Sequence, residues 1–459
     1  MRTLLTAAIC AATLSSSALA VAAEDPAAVA RDFQTRASNG GLAFEIVRSL
    51  TTEVGARPLG SPGDAAAVAW GERKLKELGF VNVRREEVKV PSAWQRISDR
   101  AELVGVTRQT LRVAALGDSP STPDKGIEAE VVRFPTLAAL EASAPGSLTG
   151  KIAFVDVHTR RTKNGTGYGE AVGMRTRAAP LAKERGAIAA VIRSVGTDSH
   201  RFPHTGTASW RADFPTIPVA ALSNPDADQL SRALERGPAK LFLDLRSTSA
   251  PATAYNVVGE IPGDGSSDEI VLLGAHLDSW DLGTGAIDDG AGIGITVSAA
   301  KAIAERGKTK RTIRVVMFAG EEIGIKGATA YAEAHKDELV KHVAAMEADF
   351  GSGPVYRVTP DASFPAALQT SLRTGLAALK VDAGDGKAEV GPDLGPINRA
   401  GVPTIGLALD GTDYFDVHHT EDDTLDKVDA TAIAQSSAAY ATAAWLAATH
   451  PESLKRGSK

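Results

Sequence analysis

Apolar residues follow two rhythms along this chain. In the second half, short and nearly unbroken apolar runs recur: "AYNVVGEI", "EIVLLGA", "TIRVVMFAG", "HVAAMEA" and "VPTIGLAL". Runs such as "IVLL" and "VVMF" leave no polar face, which is the pattern of strands covered on both sides. Between and after them, roughly over 290–306, 325–335, 363–380 and 429–448, the spacing is helical. Strand and helix in alternation predict an α/β sandwich of three layers around a mainly parallel central sheet.

The first half reads differently. Residues 26–115 contain one clear amphipathic helix, "DAAAVAWGERKLKELGF", ended by Gly79 and preceded by the Gly/Pro-rich loop "TTEVGARPLGSPG". From about 116 to 250 short strands are predicted at "EAEVVRF", "KIAFVDV", "AIAAVIRS" and "KLFLDLRS", with helical stretches around 176–185 and 225–235. Loops rich in Gly, Thr, His and Arg run over 158–175 and 195–216. This change of rhythm predicts an α+β domain, 116–250, inserted into a main domain made of 21–115 and 251–459.

Composition narrows the function. Of 459 residues, 43% are apolar and 23% charged, with a net charge of -6. The chain has no Lys/Arg run, so it offers no electrostatic footprint for nucleic acid. Its first residues, "MRTLLTAAICAATLSSSALA", carry Arg2, an apolar run and the small-residue pattern Ala18-Leu19-Ala20. That is the layout of a secretory signal peptide, 1–20, and it places the mature chain in the periplasm or medium. Cys10, the only cysteine, lies inside it, so the mature chain is expected to hold no disulfide. No later apolar run is long enough to span a bilayer. The sequence leaves an oligomer open.

Candidate chemistry gathers where the predicted strands end. In open α/β sheets, ligands bind beyond the carboxyl ends of the strands. His276 follows "IVLLGA", Glu321 and Glu322 follow "VVMFAG", Asp349 follows "HVAAMEA", and His418 and His419 come soon after "VPTIGLAL". Asp288 opens the helix after the first of these strands. Singly, Asp288 and Asp289 read as helix caps, and "EE" as a solvated pair. With one ligand taken from each adjacent pair, the five positions offer two histidines and three carboxylates without a thiolate, a set suited to zinc, or less selectively to cobalt or manganese. Five ligands fit two metals when one carboxylate bridges and a water is shared, with the ions about 3.5–4 Å apart. The glycines of "GTGAIDDGAG" let backbone come close to such ions. Asp278, two residues after His276, faces the same way and is expected to orient its ring. Of Glu321 and Glu322, one is expected to bind metal and the other to serve as general base.

"GAHLDSWD", "GAIDDGAG", "FAGEEIGIKGA", "MEADFG" and "HHTEDDT" together resemble the co-catalytic zinc enzymes of peptidase family M28. "VGARPLGSPG", "PHTG" and "HLDSWD" resemble its carboxypeptidase Q-like branch. The resemblance covers nearly the whole mature chain. It implies a zinc-exopeptidase fold, an insert of protease-associated type, and two Zn²⁺ per chain. It makes Asp288 the bridging ligand, with His276 and Asp349 on one metal and Glu322 and His419 on the other. Glu321 becomes the general base, and a cis peptide follows Asp288. His418 stands where some relatives carry a tyrosine that stabilises the tetrahedral intermediate. The implied activity is removal of the N-terminal residue from short peptides with a free N-terminus, as aminopeptidase or dipeptidase. The insert is expected to roof the site, with His204 of "SHRFPHTGTASW" touching substrate. A glutaminyl cyclase-like transferase and a non-catalytic metal-binding relative are the alternatives on the same scaffold. A nucleotide-binding loop is disfavoured because Asp288 stands where G-x-G-x-x-G needs its third glycine. The chain also has no G-x-S-x-G elbow for a serine hydrolase.

Overall fold

A computed structural model describes residues 24–209 and 216–454. The expected signal peptide, with Cys10, lies outside the described residues. Among those described, no helix is long and apolar enough to cross a membrane.

Three parallel strands form the centre: His342–Glu347, Ile270–His276 and Thr312–Phe318, side by side in that order. Nearly every side chain on them is buried, as their unbroken apolar runs require. Lys240–Ile261 and then Val81–Val104 continue the sheet antiparallel on one side. On the other side a bridge between Ala345 and Thr404 joins the smaller sheet of Val355–Pro360, Asp382–Ala383 and Ile405–Leu409. Helices Ala291–Arg306, Lys326–Ala334, Ala366–Ala377 and Ala430–Thr449 follow the expected ranges within a few residues.

Three features depart from the sequence reading. "KLFLDLRS" and "AYNVVGEI" are one strand, not two. The strand Val81–Val104, in a stretch with no expected element, pairs with it over most of its length. Its register slips between Val90 and Ala93, around Pro91, where a residue without an N–H could not have continued the ladder. Third, the amphipathic helix, observed as Pro62–Glu77, is preceded by two more, Pro26–Gly40 and Leu42–Glu53. These pack against Ala291–Arg306 and Ala430–Thr449.

The long two-stranded ribbon carries the chain from the central strands to a second group of strands at the other end of the same eleven-stranded sheet. Near its far end, Ile127–Phe134 pairs with the start of Lys240–Ile261. Ile152–Val155, Ala189–Arg193, Val219–Leu222 and Val113–Ala115 follow in order. These strands have apolar clusters of their own on both faces, separate from the cluster under the central strands. Residue 250 falls within the ribbon strand Lys240–Ile261.

Candidate metal and substrate site

His276 is the last residue of its strand, and its ring is fully buried. Nδ1 donates to the main-chain oxygen of Asp278 at 3.0 Å. That fixes the ring and turns Nε2 toward Asp288 Oδ1, at 3.0 Å, and Asp349 Oδ1, at 3.6 Å. Asp288 sits in the loop Ala286–Gly290, and the Asp288–Asp289 peptide is cis.

That loop is clamped from three sides. Asp423 Oδ1 accepts the amides of Ala286 and Ile287, at 2.8 and 2.7 Å. The buried Arg57 donates to the carbonyls of Thr284 and Gly285, at 2.7 and 2.8 Å. Asp289 accepts the amide of His276 at 3.0 Å and that of Gly292 at 2.9 Å. Asp289 therefore caps the following helix, as the sequence suggested, and also ties it to the strand end.

The second half of the site comes from two other loops. His419 Nε2 lies 3.0 Å from Asp288 Oδ2 and 3.0 Å from Glu322 Oε2. Asp288 thus offers one oxygen to each of the two histidines. His419 has a φ of 62°, a conformation non-glycine residues adopt sparingly. Its Nδ1 donates to the carbonyl of Thr205 at 3.3 Å, which leaves Nε2 for Asp288 and Glu322. His418 stacks on it with ring centroids 3.5 Å apart and has Nε2 3.5 Å from Asp288 Oδ2. Two ligand-capable groups result, His276–Asp288–Asp349 and Asp288–His418–His419, each with its donor atoms within 4.8 Å of one another.

Two expected roles change. The carboxylate of Asp278 does not take the ring N–H of His276, from which it is 3.6 Å away. It accepts the amides of Gly320 and Glu321 instead, at 2.7 and 3.2 Å. Asp278 thereby sets the turn that aims Glu321 and Glu322. His204, expected to meet substrate, is fully buried with both ring nitrogens engaged. Nδ1 donates to the carbonyl of His418 and Nε2 meets Asp198 Oδ1, both at 2.7 Å. The "PHTG" loop thus braces the His418–His419 segment from behind.

The electrostatics favour cations. Burial raises Glu321 well above the usual carboxylate range, and Asp349 adds to this. Burial, reinforced by Asp349, pushes Glu347 up to about 8. Asp288 goes the other way: burial would raise it, but hydrogen bonds from His276 and His419 hold it well below. Burial would lower His276, yet its carboxylate neighbours hold it well above its ordinary value. Burial also opposes the shift at His419, where Glu322 and Asp288 raise it to about 9. The two histidines cannot balance this many carboxylates, so added positive charge would be strongly stabilised.

A cavity of about 470 Å³ opens onto this cluster. Asp288, Glu321, Glu322, Asp349, His418 and His419 all line it. Phe350, Leu407, Leu409 and Phe415 give it an apolar wall, and Tyr168, Arg175 and Thr207, from the segments between Ile152–Val155 and Val219–Leu222, also line it. Sequence reasoning passed over Arg57, Asp423, Thr205, Tyr168 and Arg175. Arg57, Asp423 and Thr205 lay inside quoted strings, "GARPLG", "HHTEDDT" and "PHTG". Thr205 and Arg175 act through folding contacts that no local pattern reveals.

The description Peptidase family M28 matches residues 256–444. Carboxypeptidase Q of Xenopus laevis is 34% identical to this chain, covering 90% of it and 87% of the relative. Carboxypeptidase Q of Mus musculus is 33% identical with the same coverage, 90% and 87%. The solved structure of a Peptidase M28 precursor from Shewanella amazonensis SB2B superposes with a TM-score of 0.89. It is 44% identical and covers 93% of this chain and 97% of its own. A zinc aminopeptidase from Bacillus subtilis, 18% identical, shares the fold with a TM-score of 0.67 over 90% of this chain and 96% of its own. Ligand-capable residues converging at the ends of the central strands and relatedness along nearly the whole chain agree: this protein belongs to peptidase family M28.

Proposed function

We propose that the chain removes the N-terminal residue of short peptides with the help of two zinc ions. The observation that carries this is Asp288, whose two oxygens face two different histidines, each with a further carboxylate beside it. The residues fit the metals. Glu322 Oε1 is buried without a hydrogen bond, and the donors are imidazole and carboxylate only. His276 and Asp349 would hold one ion, Glu322 and His419 the other, and Asp288 both. Bound there, the ions would acidify a water and polarise the scissile carbonyl.

The chain's own residues supply the proton steps. Glu321 takes a proton from the attacking water and delivers it to the leaving amine. The hydrogen bond from its amide to Asp278 holds it in place for both transfers. His418, kept well below its ordinary pKa by burial and by His419, is neutral and offers a ring nitrogen near the developing oxyanion. Segment 116–250 acts as the inserted roof and limits entry to peptide ends. Residues 1–20 direct export, so N-terminal sequencing of protein from its host should find a start shortly after Ala20.

On a dipeptide the N-terminal and C-terminal peptide bonds are the same bond. The carboxypeptidase in the relatives' name and the N-terminal cleavage proposed here meet on such substrates. A peptide panel incubated with the zinc-loaded mature protein and read by mass spectrometry tests the reading. Free dipeptides and tripeptides should be cut, N-acetylated versions spared, and a casein-sized chain left without internal cuts. Internal fragments, or equal cleavage of blocked peptides, would overturn it. Cyclised N-terminal glutamine without hydrolysis would point to a transferase instead.

A further inference from the structure

Arg175 is the one Lys or Arg among the described residues lining the cavity. It stands in the first turn of the helix Gly173–Glu184, between the strands Ile152–Val155 and Ala189–Arg193 in the chain. Only 3% of its surface is exposed. Nη1 donates to the Tyr168 hydroxyl at 2.9 Å, but Nε and Nη2 have no hydrogen-bond partner among the described residues. A guanidinium stays charged at any ordinary pH, and burying one with donors unmet is costly. The fold nonetheless makes room for it. Gly206, at a φ of 139°, passes so close that a Cβ there would lie 2.6 Å from Arg175 Cζ.

The two unmet donors are neighbours. Nε–H and Nη2–H form the side edge of the guanidinium, the fork that grips a carboxylate with two parallel hydrogen bonds. Tyr168 links this fork to the metal cluster. Its ring lies 5.4 Å from Arg175 Cζ and 5.3 Å from the ring of His418, and His418 Nε2 is 3.5 Å from Asp288. The cavity is therefore polarised, with carboxylates at one end and a lone guanidinium close by. A short peptide is polarised in the opposite sense, with an ammonium at one end and a carboxylate at the other.

We propose that Arg175 binds the α-carboxylate of the residue released by cleavage, making this a specificity-determining residue for dipeptides. The inference rests on the peptidase reading above and adds to it the substrate's far end. A carboxylate in the released side chain offers the same chemistry, so the test separates the two sources.

The zinc-loaded enzyme is compared on Leu-Ala, Leu-Ala-NH₂ and Leu-Glu-NH₂. A charged, bidentate contact predicts a preference for the free acid of about ten- to a hundredfold in kcat/KM. Leu-Glu-NH₂ should behave like Leu-Ala-NH₂; cleavage as fast as Leu-Ala would move the anchor to side-chain carboxylates and overturn the α-carboxylate assignment. Arg175→Gln should lose the preference by slowing Leu-Ala alone, and Arg175→Lys should keep part of it. A purely structural arginine would instead slow all three peptides equally. Calorimetric binding of the same peptides to zinc-loaded Glu321→Gln protein gives a readout apart from turnover. There, weaker binding of the amide supports the anchor, and equal affinity for acid and amide overturns it. If no peptide is cleaved by the wild type, the peptidase reading fails while the binding arm still decides the anchor.

Discussion

The ring of His204 donates from Nδ1 to the main-chain oxygen of His418 at 2.7 Å, although the two residues belong to different sheets' loops. The next residues repeat the link: the amide of Thr205 donates to the carbonyl of His419 at 3.1 Å, and His419 Nδ1 donates back to Thr205 at 3.3 Å. A ligand-capable histidine is thus oriented by the "PHTG" loop. His204→Ala leaves the buried carbonyl of His418 without its partner, at about 1–3 kcal/mol, while the Asp198 carboxylate keeps the amide of His200 and the side chain of Asn224. Stability in urea should fall by that order and zinc should bind more weakly, while KM changes little. A raised KM with unchanged stability would return His204 to the substrate.

Glu321 and Glu322 are adjacent, yet only Glu322 lies within 3.0 Å of His419. Glu321→Gln should keep its zinc and lose at least about two orders of magnitude in kcat, the usual scale for a general base. Glu322→Gln should lose metal first. Zinc content by emission spectroscopy, measured beside kcat, separates the two. Near-full activity in Glu321→Gln would end its assignment as base.

Away from the site, His342 carries a pH prediction. Its Nε2 accepts from the Tyr331 hydroxyl at 2.8 Å, and Nδ1 faces the carbonyl of Glu338 at 3.3 Å. Burial, and then the charge of Arg314, lower its pKa from 6.5 to about 4, outweighing Glu338. The folded state keeps this ring neutral where the unfolded chain would protonate it. Its contribution is present above pH 6.5 and is lost as the pH falls through about 4. The span corresponds to about 3 kcal/mol. The stability gap between wild type and His342→Gln, measured by urea denaturation, should shrink steadily from pH 7 to pH 4.5. A gap that stays constant would mean that His342 is not held neutral.

Legibility in the sequence followed burial. The central strands were readable because both faces are covered, which forces the unbroken runs "IVLL" and "VVMF". Val81–Val104 was not. It has no unbroken apolar run and carries charged residues at Arg84, Arg85, Glu86 and Glu87 among exposed and half-buried positions, and it becomes a strand because Lys240–Ile261 runs beside it. Most of the site's ligand-capable residues were readable because they lie at or just past a strand end, as His276, Glu322 and Asp349 do, or just before a helix, as Asp288 does. The residues that hold them were not, since Asp423, Arg57 and Thr205 act across 130 residues or more. His204 shows the limit of reading a polar loop as a substrate contact. Its polarity serves Asp198 and a carbonyl inside the protein.

Two glycine substitutions test how tightly the loop of Asp288 is built. Gly292 stands at the start of the helix Ala291–Arg306, and a Cβ there would lie 1.9 Å from the carbonyl of Ala348 and 2.3 Å from Asp289 Oδ1. Neither neighbour can yield freely. Ala348 precedes Asp349, and its amide is bonded to the strand of His276 through Gly274 at 3.0 Å. Asp289 holds the amide of His276. A methyl group would push apart the two segments that carry Asp288 and Asp349, beyond the ordinary cost of overpacking, about 1–3 kcal/mol. Gly169, in the helix Thr166–Ala171, is the control, because a Cβ there meets nothing within 4 Å. Gly169→Ala should be neutral or stabilise by up to about 1 kcal/mol through helix propensity alone. Gly292→Ala should lose zinc affinity as well as stability, and the paired comparison separates site geometry from the general effect of alanine for glycine. Wild-type zinc affinity in Gly292→Ala would show that the loop has slack which the close contacts around it deny.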